Sequence, residues 1–155
     1  MRTISKRTQY GLKAVLSLAG RYGKGPVLIA AIADEEKIPI KFLEAILVDL
    51  KSHGVLSSKT GKHGGYELSR PPSTITVGSL IRMMEGPLAP LPCASETAFK
   101  PCAECRDVEG CAIRIVMRQV RDATAEVLDK TTLASLLRQA ENTRQAKHPL
   151  LTYEI

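Results

Sequence analysis

At Gly54 the spacing of apolar residues switches from a helical to an alternating period, and that switch narrows the folds open to this 155-residue chain. Upstream, Leu12, Val15, Leu16 and Ala19 share one face of a helix predicted over 5–20, with Ser5 placed as its N-cap. Gly20 to Pro26 ends that helix, a short one follows over about 28–36, and Lys37, Ile38 and Pro39 break the pattern. A longer helix is predicted over 40–53. Its Leu43, Ile46, Leu47 and Leu50 form a continuous apolar stripe, which leaves Lys41, Glu44 and Lys51 facing elsewhere. Pro39 suits the first turn, where its missing N–H costs nothing, and Gly54 is placed to cap the far end. Downstream, Val55 to Ser58 and Tyr66 to Ser69 alternate as two short strands. Between them runs Lys59-Thr60-Gly61-Lys62-His63-Gly64-Gly65, a glycine-rich connection with a basic tip.

Helix, turn, helix and basic-tipped hairpin is the order of a winged helix-turn-helix. In that arrangement one helix enters the major groove while the hairpin tip reaches the neighbouring backbone or minor groove. Charge agrees with it. The net +6 is confined to residues 1–70, which hold 12 Lys/Arg against 6 Asp/Glu, whereas residues 71–155 hold 10 of each. No apolar run approaches the roughly 20 residues that cross a bilayer. Lys13 interrupts the first apolar stretch, so the N-terminus reads as an amphipathic helix and the expected location is the cytoplasm, with no membrane partner. No G-x-S-x-G, P-loop or H-E-x-x-H occurs, and an enzyme is not expected.

Beyond Arg70-Pro71-Pro72, Thr76 caps a helix carrying Val77, Leu80, Ile81 and Met84. From Gly86 to Cys111 the composition changes. Pro87, Pro90, Pro92 and Pro101 oppose regular structure, and all 4 cysteines of the chain fall in this span. A helix over 112–129 follows, with Ile113, Val116, Met117, Val120, Val127 and Leu128 at three-four spacing, and Thr131 or Thr132 starts another through Leu133, Leu136, Leu137 and Ala140. The expected class is therefore mainly α with one small β-hairpin. It divides into a DNA-binding head over 1–85, a cysteine-rich sensor loop over 86–111, a dimerisation helix and C-terminal helix over 112–145, and a tail over 146–155. The apolar stripe of the long helix packs either on its own domain or on the same helix of a second subunit, which would let a dimer reach two half-sites of promoter DNA.

The cysteines, Cys93, Cys102, Cys105 and Cys111, are spaced C-x8-C-x2-C-x5-C. In a cytosolic chain such a cluster points to metal ligation or thiol redox chemistry more than to a disulfide scaffold. Thiolates favour zinc, copper(I) and iron–sulfur clusters, and only Cys102 and Cys105 form the short hook of a zinc site. An iron–sulfur cluster tolerates the irregular spacing best, while zinc, metal-free oxidisable thiols and a small-molecule effector without any cluster are the alternatives. Histidine competes little: His53 ends the second helix of the motif, His63 sits in the wing as a backbone contact, and His148 lies in the tail.

The run Phe42-Leu43-Glu44, then Leu50-Lys51-Ser52-His53-Gly54-Val55-Leu56, Ser57-Ser58 and Gly64-Gly65-Tyr66 resembles the Rrf2 family of bacterial regulators. So do Ser5-Lys6 with Tyr10-Gly11-Leu12, and Ile75-Thr76-Val77-Gly78. The likeness spans roughly residues 1 to 140. It implies a homodimeric winged-helix repressor or activator whose long helix crosses to the partner, with three loop cysteines binding iron–sulfur in cluster-bearing members. Cys93, Cys105 and Cys111 match those three, with a 2Fe-2S cluster slightly favoured over 4Fe-4S, and Cys102 is an addition in a longer loop. Where one branch of the family places a His ligand this chain has Arg114, and where another places an Asp it has Gln9. Arginine has no lone pair to give and a glutamine carbonyl is a poor donor beside thiolates, so Cys102 is expected to complete the site.

The same resemblance implies the DNA-reading set: Lys6, Tyr10, Lys41, Glu44, Lys59, Thr60, Lys62 and His63. Glu44 matches an acidic residue of the recognition helix, able to accept from cytosine N4. Lys41 is the backbone or guanine contact. Thr60 stands where the family often has arginine, which leaves minor-groove insertion to Lys59 or Lys62. Phe42 and Leu43 are expected in the core.

Overall fold

The computed structural model describes residues 4–147. Of the expected tail over 146–155, residues 146 and 147 belong to the last helix, and 148–155, with His148, lie outside the described residues. Helix α1 runs Lys6–Ala19, α2 Ile29–Glu36 and α3 Ile40–Ser52. The strands β1 (Leu56–Lys59) and β2 (Gly65–Leu68) follow, then α4 (Val77–Glu85), α5 (Ala112–Lys130) and α6 (Leu133–Lys147). Single 3-10 turns occur at Pro72–Thr74 and Pro92–Ala94.

Local chemistry sets the boundaries. Ser5 caps α1 by accepting from the Thr8 N–H at 3.2 Å, and the Ser5 hydroxyl donates to Thr8 Oγ1, which satisfies a threonine with no exposed surface. Lys37 ends α2 in the left-handed region at φ 54, an uncommon choice for a residue with a side chain, and this sets the sharp turn into α3. Pro39 is the residue before α3 and not inside its first turn. At the other end the Gly54 N–H donates to the Lys51 carbonyl at 2.9 Å and the Val55 N–H to the Leu50 carbonyl at 3.0 Å. That paired closure uses Gly54 at φ 72, and Leu50 and Val55, both fully buried, supply the accompanying apolar contact.

The strands pair antiparallel, Leu56 opposite Leu68 and Lys59 opposite Gly65. A third chain segment joins them: Val27 N–H donates to the Tyr66 carbonyl at 2.8 Å, and Tyr66 N–H returns to the Val27 carbonyl at 2.9 Å. Gly65, at φ 143, lies so close that a Cβ there would collide with the Val27 carbonyl. The wing is thereby seated on the segment between α1 and α2.

One core holds the head together. Val15 and Leu18 of α1, Ile32 of α2, the Leu43, Ile46, Leu47 and Leu50 stripe of α3, Val55, Leu56 and Leu80 are all at most 2 % exposed. Leu133 of α6 is as deeply buried and belongs to the same cluster, so the head draws on residues well beyond 85. It is held there by a short antiparallel bridge, Val77 N–H to the Thr131 carbonyl and Leu133 N–H to the Ile75 carbonyl, each 2.9 Å. Thr132 and Ser135 cap α6 reciprocally, each side-chain oxygen accepting from the other's backbone N–H. Arg82 of α4 and Asp129 of α5 form a two-pronged ion pair at 2.5 and 2.8 Å, locking the end of the long helix to the head.

Candidate nucleic-acid interface and cysteine loop

The outward face of α3 carries the groove-reading candidates. Lys41 and Glu44 are exposed, and neither has a polar partner among the described residues. Arg7 of α1 reaches Asp49 of α3 at 2.7 Å, and Tyr10 meets Phe42 edge-on with ring centroids 5.8 Å apart. These two contacts dock the first turns of α1 beside α3, with Tyr10 next to Phe42 and its neighbour Lys41, while Lys6 donates to Gln9. Leu43 is fully buried as expected. Phe42 is not in the core: it is 44 % exposed, because it points to the flank of α3 where only Tyr10 covers it.

In the wing, Thr60, Lys62 and His63 are exposed at the tip. Lys59 is turned across the hairpin to Glu67 at 3.2 Å, which leaves Lys62 as the unengaged lysine of the tip. His53, at the end of α3, brings Nδ1 within 2.8 Å of the Asp49 carbonyl and so finishes the helix.

The loop between α4 and α5 is irregular apart from its Pro92–Ala94 turn. Besides its own turns, such as the Lys100 N–H on the Pro92 carbonyl, it is held by two arginines of α5. Arg114 Nε donates to the Cys93 carbonyl at 2.9 Å, its Nη1 donates to the Val108 carbonyl at 3.3 Å and pairs with Glu109 at 3.3 Å, and its guanidinium lies 5.7 Å from the Phe99 ring centre. Arg121, two turns later and 8 % exposed, donates from Nη1 to the Ala94 carbonyl at 2.6 Å and also contacts Glu96 and Asp122. The Cys93–Ala94 turn and the Val108 segment are thus both tied to one face of one helix. The position matching the family's histidine ligand holds a clamp on the loop backbone. Gln9, the other matched position, donates to the Ile4 carbonyl and accepts from Lys6.

All four cysteines are free thiols. Cys105 donates to Cys111 with the sulfurs 3.8 Å apart. The proton stays on Cys105: its hydrogen bonds to Cys111 and then to Cys102 push its thiol up to about 11. Cys111, directly before α5, is shifted down from the ordinary thiol value, first by the Arg114 backbone N–H and then by the Cys105 thiol. Cys102 donates to Glu104 at 3.0 Å, and Cys93 is buried beside the Arg121 contact.

An all-thiol donor set suits iron–sulfur or zinc. In a tetrahedral thiolate site with metal–sulfur bonds of about 2.3 Å, neighbouring sulfurs stand roughly 3.8 Å apart, the spacing of Cys105 and Cys111. Among the described residues no three His, Cys, Asp or Glu side chains converge on one point. The donor chemistry fits such a group, with Cys105 and Cys111 in place and Cys93 and Cys102 on the same loop.

Arg121 was not distinguished in the sequence. Its signal is its position seven residues after Arg114, which puts two arginines on the same side of a helix otherwise striped with apolar residues. That stripe is divided: Met117, Val120 and Leu128 are half-buried, whereas Ile113, Val116 and Val127 are 62 %, 45 % and 65 % exposed. Among the described residues no helix is long and apolar enough to cross a membrane.

A family described as iron-dependent transcriptional regulators, Rrf2, matches residues 4–139. The chain is 39 % identical over 137 residues to an Rrf2-like HTH-type transcriptional regulator of Rhodobacter capsulatus, covering 86 % of this chain and 91 % of that one. It is 34 % identical over 143 residues to the HTH-type transcriptional regulator CymR of Bacillus subtilis, covering 92 % and 95 %. The solved structure of that CymR, the global cysteine regulator, superposes with a TM-score of 0.73 over 88 % of this chain and 96 % of its own. IscR of T. potens, at 31 % identity, gives 0.73 over 92 % and 90 %. With six helices and one two-stranded sheet among the described residues, in the order of those winged-helix structures, the chain belongs to the Rrf2 family of transcriptional regulators.

Proposed function

We propose that this regulator acts in the cytoplasm as a homodimer on promoter DNA and that its cysteine loop is the sensor. In this reading α3 enters the major groove with Lys41 and Glu44, Lys6 and Tyr10 flank it, and Lys59, Thr60, Lys62 and His63 meet the adjacent backbone or minor groove. The exposed Ile113, Val116 and Val127 stripe of α5 packs on the same helix of a second copy. Cys93, Cys102, Cys105 and Cys111 hold an iron–sulfur cluster, which when bound supplies iron- and redox-dependent cross-linking of the loop.

The observation that carries this reading is the pair of arginine clamps, Arg114 on the Cys93 carbonyl and Arg121 on the Ala94 carbonyl. They attach the cysteine loop to the helix that bears the unpartnered apolar stripe. That helix is locked at its other end to the head by Arg82 and Asp129. A change in loop order therefore acts on both the dimer contact and the placement of α3, and a differential of about 1–3 kcal/mol is enough for a switch.

A second reading has its own support in the 3.8 Å spacing of Cys105 and Cys111. Hydrogen peroxide takes two electrons and two protons from such a pair, leaving a disulfide and two waters. One experiment separates the readings: an ultraviolet–visible spectrum of anaerobically purified protein with iron, sulfide, zinc and thiol assays, followed by DNA affinity before and after removal of metal. Iron and sulfide together with a several-fold affinity change support the cluster. Colourless, metal-free protein that loses two thiols to peroxide supports the disulfide. Identical DNA affinity in every state would end the sensor role.

A further inference from the structure

The outward face of α3 is unusually apolar for a surface that reads base edges. Residues advance by about 100° each around an α-helix. Leu43, Ile46, Leu47 and Leu50 define the buried direction, packed on α1, α2 and β1. Directly opposite fall Lys41, Ala45, Val48 and Ser52, at spacings of four, three and four residues. Glu44 flanks this line on one side and Phe42 on the other, where it turns against Tyr10. The middle of the line is therefore Ala45 and Val48, and Val48 is 58 % exposed with no element of the described residues over it.

Neither side chain can hydrogen-bond to a base. The major groove offers one apolar feature, the C5 methyl group of thymine, and apolar side chains of this size contact it. Three residues of helix span about 4.5 Å, more than the roughly 3.4 Å between successive base pairs, so the two side chains serve different base pairs. We propose that Ala45 and Val48 are specificity-determining residues that read thymine methyl groups in each half-site, further along α3 than the polar contacts made by Lys41 and Glu44. The inference rests on α3 being the helix that enters the major groove.

The test begins with selection of binding sites from a randomised duplex pool by the full-length protein, in anaerobic and air-exposed preparations. Selected duplexes are then remade with uracil in place of thymine, one position at a time, which removes a single methyl and leaves the protein untouched. Each contacted thymine is expected to lose about fourfold in affinity on conversion to uracil, the partition of one buried methyl group. Val48→Ser and Ala45→Gln, both at exposed positions, are expected to abolish the uracil sensitivity at their own base pair and shift the selected motif there. If sites are enriched but uracil binds as well as thymine throughout, or if neither substitution changes the motif, the thymine reading is wrong while groove entry by α3 stands. If no site is enriched in any preparation, sequence-specific groove reading fails and this inference with it.

Discussion

Arg114 Nε and the Cys93 carbonyl oxygen stand 2.9 Å apart across 21 residues of chain, and this contact makes the cysteine loop part of α5. A guanidinium donates here to two backbone carbonyls from a side chain that is 13 % exposed, with donors fixed in one plane, whereas an ammonium would have to place a single flexible nitrogen within reach of both.

Arg114→Ala is therefore expected to free the loop. Hydrogen bonds from charged groups contribute about 1.5–3 kcal/mol each, so the open population should rise at least tenfold. Alkylation of Cys93 in metal-free protein, followed by mass spectrometry, should accelerate accordingly, with Arg114→Lys intermediate. Unchanged rates would mean that the carbonyl contact does not order the loop.

Gly65→Ala should damage the wing. The residue sits at φ 143, and a Cβ would strike the Val27 carbonyl, so either the Val27–Tyr66 bridge or the hairpin must shift. We expect a loss of more than about 1 kcal/mol in urea denaturation, together with weakened DNA binding. Full stability with unaltered binding would show that the wing does not depend on its seat against Val27.

Asp129→Asn tests the lock between α4 and α5. Arg82 holds the Asp129 carboxyl below its ordinary value of 3.8, so the ion pair contributes above that pH and is lost as pH falls through the lower folded value. Both side chains are partly exposed, at 37 % and 43 %, and solvent screening limits the contribution to about 0.2–1 kcal/mol. The stability difference between the parent and Asp129→Asn should be flat from about pH 5 to 8 and shrink toward pH 3. A difference that grows on acidification would contradict the sign.

If the proposed dimer forms through α5, replacing Ile113 and Val116 together with glutamate should leave monomers with little loss of helix, because both side chains are exposed in the single chain. Sedimentation equilibrium measures the mass and circular dichroism the helix content. An unchanged dimer mass would place the interface elsewhere.

The head was legible because its signals are local. The period change at Gly54, the Ser5 and Thr76 caps and the α3 stripe each depend on residues a few positions apart, and the structure reproduces them with strand boundaries moved by one residue. Phe42 shows the limit: its apolar character suggested the core, yet the helix direction it occupies leads to Tyr10 and solvent. The Val27 bridge to the wing and the burial of Leu133 in the head were not legible either, since a single bridging residue or one distant leucine has no periodicity to reveal it.

By itself the sequence determined the winged-helix order, the basic half and the family, because period, caps and motif spacing are written along the chain. Only the tertiary structure decided which cysteines stand together, that Arg114 and Arg121 tether their loop, and which part of the α5 stripe stays exposed. Those outcomes depend on the directions in which distant segments approach one another, and spacing along a chain does not encode direction where prolines remove any regular repeat.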